Sequence, residues 1–112
     1  MHSRRAYGCP VEFSLDVLGG KWKTVILARL KQGPLRYSEL RKAIPTLSDK
    51  MLTGRLHEMC DVGLIEVAPD DADGRRYRIT DMGASLGPVL HALYEWGQKH
   101  GSSLGAQVRA GC

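Results

Sequence analysis

Between Pro45 and Gly63 the sequence sets Ser48, Lys50, Thr53, Gly54 and His57: short hydrogen-bonding side chains, one long cation and one residue with no side chain. On a helix they fall on or near one side, while Leu52, Leu56 and Met59 recur at the i, i+4, i+7 spacing of an opposite apolar stripe. Ser48 is placed to cap the start and Gly63 to end it. A face meant only for water would more often carry long Glu and Lys side chains. A small polar face with a glycine for close approach suits entry into a groove, where hydroxyl, amine and imidazole groups can meet base edges or nearby phosphates. The segment reads as a DNA recognition helix. An ordinary amphipathic surface helix would share the same wheel, so the rest of the chain must decide.

Cys9 is the second candidate for chemistry. It stands just before Pro10 at the expected start of a helix, with Arg4 and Arg5 upstream. Unpaired helix N–H groups and positive charge favour the thiolate, which is nucleophilic and oxidisable. A buried cysteine acting as a small hydrophobe is the plainer alternative. Cys60 lies toward the flank of the recognition segment and reads as packing, while Cys112, in the tail, either reaches a partner thiol or is inert. Three cysteines at unrelated spacings suit neither a disulfide framework nor a zinc site, and His2, His57, His91 and His100 show no ligand spacing. The sequence has no glycine-rich phosphate cradle, no helical zinc-protease pair and no Ser or Cys nucleophile with an identifiable base. No catalytic, metal or cofactor site is expected.

A chain of 112 residues has room for one domain with a modest core. Its 43% hydrophobic and 25% charged residues are globular values, which set disorder aside. The excess of 16 Lys and Arg over 12 Asp and Glu gives a net charge of +4, in keeping with a polyanionic partner without requiring one. No apolar run reaches the roughly 18 residues of a membrane span, and residues 1–10 lack the apolar middle of a signal peptide. A cytoplasmic protein without membrane contact is the expectation.

The elements that must position these residues can be taken in chain order. Residues 1–8 read as a flexible basic arm. Cys9-Pro10 opens a helix with Phe13, Val17 and Leu18 inward, and Gly19-Gly20 ends it. Residues 21–30 predict a second helix with Trp22, Val25, Ile26 and Leu30 at core spacing and Lys21, Lys23 and Arg29 toward solvent. Gln32-Gly33-Pro34 breaks the chain, residues 35–37 suggest a very short strand, and Ser38 caps a third helix to about Ile44, closed by Pro45. Two short helices joined by so few residues are the helix-turn-helix layout, the first crossing the DNA backbone and the second entering the major groove. Arg36, Ser38 and Arg41 are then candidates for phosphate contact. Residues 64–68 and 77–80 read as paired strands around a polar tip, where Asp70, Asp71 and Asp73 precede Arg75 and Arg76. Such a hairpin is the wing of a winged helix, with a tip that repels phosphate and a base, at Arg75 and Arg76, that attracts it. Thr80 or Asp81 caps a last helix whose Leu86, Val89, Leu90, Leu93, Tyr94 and Trp96 make an apolar face wider than one small domain needs. A second subunit would cover the excess. Beyond Gly97 the composition turns to Gly, Ser and Ala, and residues 100–112 read as a flexible tail.

One further pattern runs through the chain in register: Cys9-Pro10-Val11-Glu12, Leu15-Asp16, Leu18-Gly19-Gly20-Lys21-Trp22-Lys23, Arg36-Tyr37-Ser38-Glu39-Leu40, Ile44-Pro45, Ser48, Lys50-Met51-Leu52-Thr53, Leu56, Gly63-Leu64-Ile65, Tyr77, Thr80, Gly83 and Trp96-Gly97. From about Cys9 to Gly97 this resembles the HxlR family of bacterial winged-helix transcriptional regulators, which are MarR-like. The resemblance implies an α+β, mostly α, winged helix-turn-helix domain over residues 9–99, with N- and C-terminal dimerisation helices. It implies a homodimer on a pseudo-palindromic operator in double-stranded DNA, with Phe13, Val89, Leu90, Leu93 and Trp96 at the dimer interface. It also implies that Cys9 stands where such regulators often sense quinones, aldehydes or oxidants, so that a small electrophile or oxidant is an expected partner. A metal-responsive winged-helix repressor and a winged-helix protein-docking module stay open beside it.

Overall fold

The computed structural model describes residues 6–19, 21–69 and 74–108. Helices α1 (Pro10–Leu18), α2 (Lys23–Leu30), α3 (Tyr37–Ala43) and α4 (Asp49–Asp61) precede an antiparallel hairpin of β1 (Ile65–Val67) and β2 (Tyr77–Ile79). Then come α5 (Asp81–Ala84), α6 (Gly87–His100) and a 3-10 turn at Ser102–Leu104. The fold is α+β and mostly α, a winged helix-turn-helix. Its core gathers Ile26, Leu27 and Leu30 of α2, Leu40 of α3, Leu52, Leu56 and Met59 of α4, and Ile65 of β1, each 2% exposed or less. Burial of each such side chain stabilises by about 2 kcal/mol. Leu47 is buried with them and pins the α3–α4 turn to the domain.

The hairpin pairs Ile65 with Ile79, Glu66 with Arg78 and Val67 with Tyr77. Arg78 Nε meets Glu66 Oε2 at 2.7 Å across the two strands. The expected strand at residues 35–37 is a single bridge: Leu35 and Tyr77 exchange backbone hydrogen bonds of 3.0 and 2.8 Å. It ties the entry of α3 to the hairpin. Gly63, at φ +83, closes α4, with the Gly63 amide on the Cys60 carbonyl and the Leu64 amide on the Met59 carbonyl.

Several local expectations are corrected. Helix α2 starts at Lys23 rather than Lys21, because Trp22 has φ +90, a left-handed conformation that cannot begin a helical turn. The detour lets the Trp22 ring pack on the core while Lys21 Nζ lies 5.1 Å from it. Lys23 is not solvated: it is 8% exposed, and its Nζ lies 3.4 Å from Glu58 Oε2. Arg36, not Ser38, occupies the N-cap of α3, with its amide donating to Glu39 Oε1 at 2.8 Å. Of the inward positions of α1, Leu18 is buried and Val17 half-buried, but Phe13 is 46% exposed. Of the expected arm, residues 6–8 are described, and Tyr7 makes contacts with α1. Tyr7 stacks edge-on against Phe13 at 5.4 Å and donates to Asp16 Oδ2 at 2.6 Å. The single last helix is two, since Pro88 in a continuous helix would clash with the Ala84 carbonyl, so the chain turns at Ser85-Leu86 before α6. Helix α6 runs past Gly97 to His100.

Candidate nucleic-acid interface

Helix α4 is held at both ends and along one side. Ser48 Oγ accepts from the Met51 amide at 3.1 Å, the capping bond expected from sequence. Leu52, Leu56 and Met59 are buried. Near the other end Glu58 takes Lys23 on one oxygen and Arg55 Nη1 on the other at 2.9 Å, and Arg55 Nε donates to the Lys21 carbonyl at 3.2 Å. Burial pushes the Glu58 carboxyl up, but Lys23 and Arg55 outweigh it and hold it below its ordinary value. These groups join α4 to the start of α2.

What α4 leaves outside is the small polar face. Lys50, Thr53 and His57 are exposed and Gly54 is half-buried, with no heavy atom within 4 Å of where its Cβ would stand. His57 Nε2 lies 3.5 Å from Asp61 Oδ2, an ion pair once the imidazole is protonated. No internal contact requires a glycine at position 54.

The α3 candidates divide. Ser38 is exposed; Arg36 is half-buried at the N-cap. Arg41 turns inward: its Nη1 donates to the Leu47 carbonyl and its Nε sits 2.8 Å from Asp49 Oδ1. It braces the turn between α3 and α4 rather than standing ready for phosphate. Two residues that sequence reasoning passed over complete this cluster. Tyr37 donates its hydroxyl proton to Asp49 Oδ1 at 2.8 Å, and its oxygen lies 3.3 Å from Thr53 Oγ1. The signal available was the acidic residue in the first turn of α4, four residues before Thr53. At the wing, Arg75 is exposed and Arg76 half-buried, with the Ala68 amide on the Arg76 carbonyl at 2.6 Å. Asp70, Asp71 and Asp73 lie outside the described residues.

Cys9 is exposed and forms the N-cap of α1, its carbonyl receiving the Glu12 amide at 3.0 Å. Glu12 in that first turn accepts the Gly8 amide at 3.3 Å, so a carboxylate shares the helix start with the thiol. Arg4, Arg5 and Cys112 lie outside the described residues. Burial, then the neighbouring Asp61, pushes the Cys60 thiol up, and its side chain packs against the core.

The remaining named positions lie on α1 and α6. Helix α6, described throughout, has no buried residue; Leu93 is 51% and Trp96 58% exposed, and Val89 is exposed beside them. Leu90 is half-buried against the core. Val11, Phe13 and Leu15 of α1 are exposed as well. Two open apolar grooves flank these helices. One of about 450 Å³ is lined by Phe13, Val17, Val62, Leu64, Met82 and Leu86; the other, of about 570 Å³, by Thr24, Ala28, Leu90, Leu93 and Tyr94 among others. Among the described residues no three His, Cys, Asp or Glu side chains gather as metal ligands, and no helix is long and apolar enough to cross a membrane.

Comparison with known proteins agrees with this geometry. Residues 17–104 match the family model described as HxlR-like helix-turn-helix. A helix-turn-helix transcriptional regulator of uncharacterised role from Methanothermobacter thermautotrophicus is 44% identical over 98 residues, covering 86% of this chain and 75% of that one. The redox regulator HypR in its reduced form superposes with a TM-score of 0.78 at 33% identity, covering 86% of this chain and 97% of HypR. Quinone-bound YodB from Bacillus subtilis superposes with a TM-score of 0.72 at 30% identity, covering 81% and 99%.

Proposed function

The chain belongs to the HxlR-like helix-turn-helix family of transcriptional regulators, and we propose from that premise that two copies bind a pseudo-palindromic operator in double-stranded DNA. It is a regulator and not an enzyme. The observation that carries the proposal is α4, whose apolar side is sealed in the core while Lys50, Thr53, Gly54 and His57 stay open on the other. Ser48 and these four face the major groove; Arg36, Ser38, Arg75 and Arg76 supply backbone contacts. A cytoplasmic location follows from that work.

The test is a mobility shift on the DNA upstream of the gene with excess competitor. Lys50→Ala and Arg76→Ala each weaken binding and lower the salt slope by about one unit. Unchanged affinity for both at moderate salt removes this face from the interface.

The family likeness to a redox regulator and to a quinone-bound protein supports a signal received at Cys9. Its thiol is exposed at a helix N-cap beside the apolar surface of α1, so its modification would disturb how that helix meets a partner subunit. A thiolate adds to an electrophilic carbon to form a thioether, or two thiols give two electrons and two protons to an oxidant and join as a disulfide. Diamide, which accepts those electrons and protons, is expected to change operator affinity of the wild type and leave Cys9→Ser unresponsive. A full response in Cys9→Ser moves the sensor elsewhere.

A further inference from the structure

The cluster at the start of α4 fixes more than a helix. Asp49 Oδ1 receives Arg41 Nε at 2.8 Å and the Tyr37 hydroxyl at 2.8 Å. A carboxylate has no proton to return, so the single proton of Tyr37 is committed to Asp49. Any hydrogen bond across the 3.3 Å between the Tyr37 and Thr53 oxygens then has Thr53 as its donor. Thr53 is exposed on the open face of α4, so with its proton turned inward only lone pairs remain for whatever lies outside.

In the major groove the bases differ in the complementary sense. Adenine offers its N6 amino group and cytosine its N4 amino group, whereas guanine O6 and N7 and thymine O4 are acceptors. We propose that Tyr37 and Asp49 hold Thr53 as a one-way hydrogen-bond acceptor, so that Thr53 selects a base presenting an amino group in the major groove, adenine or cytosine. Thr53 is the specificity-determining side chain; Tyr37 and Asp49 are positioning residues, and Arg41 keeps the Asp49 carboxylate in place. The inference rests on the reading of α4 as the recognition helix and adds to it which class of base one of its residues reads.

The experiment selects bound sequences from duplexes randomised across the site, using the full chain at fixed salt. Wild type should prefer adenine or cytosine over guanine and thymine at one position per half-site by about fivefold, the weight of one net neutral hydrogen bond. Tyr37→Phe frees the Thr53 hydroxyl to rotate, and the preference should fall below about twofold while the salt slope stays unchanged. Thr53→Val, an exposed substitution of equal shape that does not threaten folding, should abolish the same preference even if the Tyr37 variant unfolds. Asp49→Asn keeps an acceptor oxygen for Tyr37 and should retain most of it. A profile unchanged by both Tyr37→Phe and Thr53→Val overturns the proposal, as does a loss of affinity equal for every sequence. A preference lost in Thr53→Val but kept in Tyr37→Phe also overturns it, since Thr53 then reads without being oriented. Failure of the wild type to select any sequence removes the recognition-helix reading itself, a result distinct from all of these.

Discussion

Gly54 separates what a residue does for the fold from what it does outside it. A glycine inside a helix costs about 1 kcal/mol relative to alanine, and here nothing internal requires it, since an added Cβ meets only open space. Gly54→Ala should therefore stabilise the isolated protein by about 0.8 kcal/mol in denaturant melts while weakening operator binding, because the methyl stands where the groove wall approaches. Stability and affinity moving in opposite directions is the signature; if both rise, the face is not a close-contact surface. Gly83 is the opposite case. Its Cβ would fall on the Leu64 carbonyl and 2.8 Å from Ile79 Cγ1, so it is required by the packing of α5 on the hairpin and carries no information about ligands. In the sequence both are simply glycines, and only the surroundings of the missing Cβ tell them apart.

At the scale of elements, α4 is docked by its leucines, its cap and the Lys23–Glu58–Arg55 group that ties it to the start of α2. Glu58 has a folded-state carboxyl held below its ordinary value of 4.5, so its contribution is present above that value and is lost as pH falls through the lower, folded one. Thermal melts of wild type and Glu58→Gln should differ at neutral pH, with wild type the more stable, and converge as the pH falls below about 4.5. A gap that persists in acid would assign the effect to packing instead of charge. Much of this element was readable beforehand: Ser48, Gly63 and the leucine stripe depend on spacing within one helix, which sequence carries directly. Lys23 reads as solvated from sequence because its partner lies thirty-five positions later, on another helix. The Tyr37–Asp49 contact was missed for the same reason: it exists only once the angle between α3 and α4 is set. Trp22 shows a third kind of limit, since a single left-handed residue moves a helix start by two positions without any mark in the apolar periodicity.

For the whole molecule the open question is what covers α6. This helix of 14 residues carries Val89, Leu93 and Trp96 exposed, and α1 adds Val11 and Leu15, a distribution that costs a lone domain solubility and gains it nothing. A two-fold partner uses each such residue twice, so a change at one position counts in both subunits. Leu93→Glu forfeits burial of the exposed half of the side chain, about 1 kcal/mol per copy or about 2 kcal/mol per dimer, which alone raises the dimer dissociation constant roughly thirtyfold, and the buried carboxylate adds to it. Because Leu93 is half exposed within its own chain, the variant should keep the circular dichroism of the wild type while sedimenting as a monomer at micromolar concentration. Melting temperature gives an independent reading: it should rise with wild-type concentration, as mass action requires of an associating protein, and be flat for the variant. The monomer would present one recognition helix in place of two, so its operator affinity should fall even though no residue of the DNA face has changed. If Leu93→Glu sediments and binds DNA as the wild type does, the subunits meet through some other surface and the apolar side of α6 serves a different partner.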